Sequence, residues 1–79
     1  MRVPKDIYGR DFADHLIRRW SFREVRQIGS HIILRTDQPF GLTLSIPAHK
    51  PLKPGTFRGL INAVAEHRGV EPQEILHKL

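Results

Sequence analysis

No cysteine occurs in this chain, which excludes a disulfide framework and any Cys-ligated zinc site and leaves a packed core or a partner to hold the fold. Long apolar runs are missing as well. Nothing approaches the roughly 18 residues that a membrane-spanning helix requires, and Met1-Arg2-Val3-Pro4-Lys5 leads into mixed polar sequence rather than a signal-peptide core. A cytoplasmic protein is therefore expected. Internal repeats, low-complexity tracts and Ser/Gly-rich linkers are absent, and 79 residues bury too little surface to divide into two cores. A single domain over residues 1–79 follows.

Acids are scarce where bases are not. Residues 1–65 hold eleven Lys/Arg against five Asp/Glu, whereas residues 66–79 hold two against three, and no acid falls between Asp37 and Glu66. Lys50, Lys53 and Arg58 lie in that acid-free stretch. Such a field attracts a polyanion or an acidic protein partner. With 39% hydrophobic and 27% charged residues, the chain has the composition of an ordinary globular domain rather than a disordered segment.

Apolar spacing organises the chain. Phe12, Ala13, Leu16, Ile17 and Trp20 recur at intervals of one, three and four, which predicts a helix over residues 10–20. The following "FREVRQI" mixes β-branched and polar residues up to Gly29-Ser30, where a two-residue hairpin loop is predicted, with Gly29 supplying the positive φ and Ile28 and His31 flanking it. A second strand runs from His31 to Thr36, with Ile32 and Leu34 on one face and His31, Ile33 and Arg35 on the other. After a loop at residues 37–41, Leu42, Leu44 and Ile46 alternate with Thr43 and Ser45 in a third strand that Pro47 ends. The segment "PAHKPLKPG" reads as an ordered loop, and Phe57, Leu60, Ile61, Val64 and Ala65 mark a helix from Thr56 to Gly69. Pro72 opens a short last helix. Two apolar helical faces need one apolar sheet face, so an α+β architecture is expected: a three-stranded antiparallel sheet with helices packed on one side and a short C-terminal helix.

Two places can carry chemistry. On the open face of that sheet, His31 is expected beside the guanidinium of Arg35, which joins a side chain able to exchange protons near neutrality to a phosphate-binding fork. The basic loop before the second long helix brings Lys50, Lys53 and Thr56 to a helix start, where free N–H groups favour an anion. The competing account of that loop is helix initiation, with Thr56 as the cap. The five histidines, His15, His31, His49, His67 and His77, form no i, i+4 pair with one another and have no cysteine to accompany them, so no metal is expected.

The segments "WSFREVRQIGSHIILR" and "LTLSIPAHKPLKPGTFRGLINAV" resemble the HicA toxin family of type II toxin-antitoxin systems. The likeness runs from about Gly9 to Leu76, and its most specific parts are Gly29-Ser30-His31 and Pro47-x-His49 with Leu52-Lys53-Pro54-Gly55-Thr56. The resemblance implies a fold similar to the double-stranded-RNA-binding domain, in the order α-β-β-β-α. It further implies an endoribonuclease acting on mRNA, silenced by a HicB-type antitoxin; no cofactor is expected. It assigns the catalytic role to His31. Many family members carry a second histidine where this chain has Ile32, which leaves one imidazole in the turn. Gly29, Ser30, Arg35, His49, Lys50, Lys53, Thr56 and Arg58 are the accompanying candidates for RNA contact, His49 also as a second proton carrier. Two other readings stay open: an RNA-binding module that does not cut, and a DNA-binding helix-turn-helix formed by "INAVAEHRGVEPQEILHKL".

Overall fold

The computed structural model describes residues 1–79 in the order α1 (Gly9–Arg19), β1 (Arg23–Ile28), β2 (His31–Thr36), β3 (Leu42–Pro47), α2 (Pro54–Arg68) and α3 (Pro72–Leu76). The fold is α+β, of the α-β-β-β-α type with a short last helix. The sheet is antiparallel with β2 central, and its helix-side residues Ile32, Leu34, Leu44 and Ile46 are buried. Onto them pack Phe12, Ala13 and Leu16 of α1 and Phe57, Ile61 and Val64 of α2, with the Phe12 and Phe57 rings edge to face at 4.9 Å. No helix is long and apolar enough to cross a membrane.

The Gly29-Ser30 turn has positive φ (57°) at Gly29 alone, the pattern of a type II′ loop, and Ile28 pairs with His31 across it. The hairpin is less regular beyond. All six residues of β1 are exposed, and the register with β2 slips between Glu24 and Arg26. This bulge leaves Val25 as the extra residue. Glu24 consequently lies opposite buried Leu34, on the helix side, where Arg10 of α1 donates to its carboxylate at 2.9 Å.

The second long helix begins two residues before the expected Thr56. Pro54 fits the first helical position because it has no N–H to leave unpaired and its φ is already helical. Lys53, in extended backbone, is the residue before it, and no side chain caps this end. Thr56 is thus the third helical residue and does not act as the cap. The proline-rich loop before it is ordered, since Ala48 and Leu52 are buried in the core and Pro51 bridges to Tyr8.

Arg68 and His15 are polar side chains with structural roles. Arg68, at the end of α2, donates to the Trp20 carbonyl and to Thr36 Oγ1 (3.2 Å), and lies over the Trp20 and Phe22 rings at 5.9 and 5.3 Å. Burial pushes its pKa below the usual arginine value. His15 of α1 is fully buried, and its Nε2 lies 2.7 Å from the Ile75 carbonyl. That contact requires Nε2–H as donor and pins α3 to α1, while Nδ1 is buried without a partner.

Desolvation, the largest influence, lowers the His15 pKa from the ordinary 6.5 against a smaller raising effect of the Ile75 bond, with Arg19 and Arg18 adding to the lowering. The unfolded chain therefore takes up a proton at His15 that the folded chain refuses. Its contribution to stability is complete above pH 6.5 and is lost as pH falls below that value. Thermal melts from pH 7.5 to 5 are expected to show a steeper fall in Tm for wild type than for His15→Gln, which keeps a donor for Ile75 but does not titrate. Parallel curves would assign the acid sensitivity elsewhere.

Candidate functional site

Cross-strand pairing defines the open face of the sheet as three rows. The first is Ile28–His31–Pro47, the second Arg26–Ile33–Ser45 and the third Arg23–Arg35–Thr43, since residues directly opposite one another share a face. His31 is exposed but stands at the start of the central strand, paired on both sides. A ladder on each flank holds its backbone still while the imidazole faces solvent.

The loop after β3 closes on the same end of the sheet. The Ala48 N–H donates to the Ser30 carbonyl at 2.8 Å, so the next residues, His49 and Lys50, emerge beside the Gly29-Ser30 turn, and both are exposed. Gln27 Nε2 donates to the Gly29 carbonyl at 3.2 Å and braces the turn from β1. Pro47, Lys50, Lys53 and Thr56 line a cleft of about 260 Å³ between this end of the sheet and the start of α2. No acidic residue occupies the first turn of α2, so its dipole and free N–H groups are uncompensated.

Arg35 does not join this group, contrary to the expectation that it stands beside the imidazole. It lies four residues further along β2, about 13 Å away at strand rise. Its side chain is also engaged: Nε donates to Asp37 at 3.0 Å and Nη1 to Thr43 Oγ1 at 2.9 Å. Arg23 meets the same carboxylate at 2.8 Å. Arg23 first, and Arg35 to a smaller degree, hold the Asp37 carboxyl below its ordinary pKa, so the far end of the face carries two guanidiniums around one acid. Arg58 is likewise apart from the cleft, exposed and donating to the Met1 carbonyl at 3.4 Å.

The guanidinium nearest the imidazole is Arg26, which is absent from the candidates that the sequence suggests. His31 pairs with Ile28, so Arg26, two residues before Ile28, is its diagonal neighbour on the same face, about 7–8 Å away. Arg26 is exposed and takes part in none of the salt bridges. Ser45 occupies the corresponding diagonal on β3. Counting back from the two-residue turn finds Arg26, because the turn sets the register.

The arrangement combines a proton-transfer group on a rigid strand with the unpaired guanidinium of Arg26 diagonal to it and the unpaired Lys50 and Lys53 along the cleft that its strand partner Pro47 lines, with no acid among them. That can grip a phosphodiester and move a proton at it. No three His, Asp or Glu side chains converge in a manner that could hold a metal ion. The helix-turn-helix reading fits poorly: α3 has five residues, about 7.5 Å of helix. It buries Ile75, and Glu71 and Glu74 are locked in a capping box at its start.

Comparison with known proteins adds one finding. A family model described as HicA toxin of bacterial toxin-antitoxin matches residues 10–65, which takes in all of the sheet, the proline-rich loop and most of α2. No curated protein and no solved structure matches the chain.

Proposed function

The chain belongs to the HicA toxin family of bacterial toxin-antitoxin systems, and on that premise we propose that it is a cytoplasmic endoribonuclease that cleaves mRNA by general acid–base chemistry at His31. The observation that carries this reading is the exposed imidazole of His31 on the central strand, with the free guanidinium of Arg26 diagonal to it and a basic cleft at its end of the sheet. In the reaction His31 moves a proton to or from the attacking 2′-hydroxyl or the leaving 5′-oxygen. Arg26, Lys50 and Lys53 offset the charge that builds on the phosphate oxygens. Gly29 and Ser30 keep the turn narrow so that a ribose can approach. Thr56 offers a hydroxyl at the helix start, and His49 is the candidate for the opposite proton transfer.

The partner follows from the family, and its mode of docking from charge. A HicB-type antitoxin with an acidic surface laid across the open face would occlude His31 and associate quickly. The test is incubation of pure protein with single-stranded RNA in EDTA. Cleavage is expected to persist, to fall about tenfold or more in Arg26→Gln and to change less in Arg35→Gln, whose guanidinium is already engaged. Recovery of intact RNA would favour the rival reading, an RNA-binding module without catalysis, which the same basic face would serve.

A further inference from the structure

The largest cavity is not at His31. The face around the imidazole is flat, whereas a concavity of about 610 Å³ lies between the N-terminal segment and the loop leading into α2, within the size range of about 300–1,000 Å³ typical of small-molecule sites. Arg2 and Lys5 line it from the N-terminal side, Lys53 and Arg58 from the other, and Asp6 is the one acid among its walls. Pro4, Pro51 and Pro54 contribute apolar surface to the same walls.

The N-terminal segment is fastened in place. The Leu52 N–H donates to the Ile7 carbonyl at 2.7 Å, Tyr8 bridges to Pro51, and Arg58 holds the Met1 carbonyl with one of its five N–H groups. The cavity also adjoins the candidate catalytic end. It shares Pro51, Leu52 and Lys53 as a common wall with the smaller cleft, whose far side is Pro47, the strand partner of His31.

We propose that this cavity is a second RNA subsite, which seats one nucleotide flanking the cleaved bond, its phosphate among Arg2, Lys5 and Arg58 and its base against the proline surface. The proposal rests on the nuclease reading for the identity of its ligand. Its chemistry fits a nucleotide better than an acidic protein: a concave pocket with both cations and proline rings in its walls matches a base joined to an anion. A flat charged face matches a protein partner. Lys53 stands on the wall between cleft and cavity and can contact the backbone on its way from one to the other.

The experiment is an NMR titration of the His31→Ala protein, so that binding is read without turnover, with ribonucleoside 5′-monophosphates and, separately, inorganic phosphate. Saturable shifts are expected at the Val3 and Leu52 methyls and the Arg58 amide, at least fivefold weaker in affinity with inorganic phosphate. The exposed pair Arg2→Gln/Lys5→Gln is expected to weaken nucleotide binding about tenfold. Shifts absent from Val3, Leu52 and Arg58, or equal affinity for phosphate alone, would overturn the subsite. Failure of the nuclease reading gives a different result, since intact RNA in the wild-type cleavage assay can accompany an unchanged titration here.

Discussion

Replacing His31 by alanine is expected to lower RNA cleavage by about 10²–10⁴-fold, the usual range for loss of a general acid or base, while leaving RNA affinity within about twofold. The affinity should survive because binding is attributed to Arg26, Lys50, Lys53 and helix-start N–H groups, none of which touches the imidazole's own role. The fold should survive too, since His31 is exposed and its contribution to the ladder is backbone. Initial rates on labelled RNA, paired with anisotropy binding, separate the two quantities. In cells, induction of the variant is expected to spare both growth and mRNA that the wild type degrades. Cleavage by His31→Ala at the wild-type rate would move the chemistry to another residue, with His49 the first to examine.

Substitution of Gly9 by alanine should cost about 3 kcal/mol, the upper end of the overpacking range, although alanine is the better helix former by about 1 kcal/mol. A Cβ at Gly9 would lie 1.5 Å from the Pro47 carbonyl oxygen and 2.6 Å from its carbon. Both are main-chain atoms of β3, which cannot rotate away as a side chain does. For a domain of this size that cost lowers Tm by roughly 12–24 °C. Gly59 is the internal control: it is also helical, a Cβ there would meet nothing within 4 Å, and alanine should stabilise by up to about 1 kcal/mol. The damage at Gly9 should reach activity as well, because Pro47 is paired with His31 and a displaced β3 end moves the imidazole. Calorimetric or CD melts of the two variants decide the matter, and a Gly9→Ala protein as stable as wild type would mean that α1 does not press on β3 this closely.

How far the sequence can be read depends on whether a segment's environment is one-sided. In β2 and β3 one face is buried and the other open, so the alternation of Leu44 and Ile46 with Thr43 and Ser45, and of Ile32 and Leu34 with His31 and Arg35 about the lone Ile33, reports the faces. The hairpin register is equally legible, since Gly29-Ser30 needs the backbone that only a tight primed turn supplies. In β1 both faces are exposed, so no alternation exists to read, and the bulge leaves no mark. Arg26 lies on the turn side of that bulge, within reach of the register the turn sets, whereas Arg35 is overrated because nearness along the chain misleads at about 3.3 Å per residue. His15 and Arg68 escape for another reason. Each is polar, and each is covered by an element distant in sequence, α3 in one case and the Trp20–Phe22 corner in the other, a cover that helical periodicity does not encode.

The extra residue in β1 decides the polarity of the row of the open surface farthest from the turn. Laid in uninterrupted register from the turn, the strand would set Glu24 opposite Arg35 and turn Val25 inward. An acid would then cancel the guanidinium of β2 and project anionic potential toward any approaching ribose-phosphate chain. With Val25 looped out, Glu24 is delivered to Arg10 behind the sheet and Arg23 takes the outer place. Closing the bulge with every residue kept would therefore exchange a guanidinium for a carboxylate opposite Arg35, whereas deleting Val25 would leave both faces as they are; the pairing of this short strand is under a constraint that no single side chain reveals.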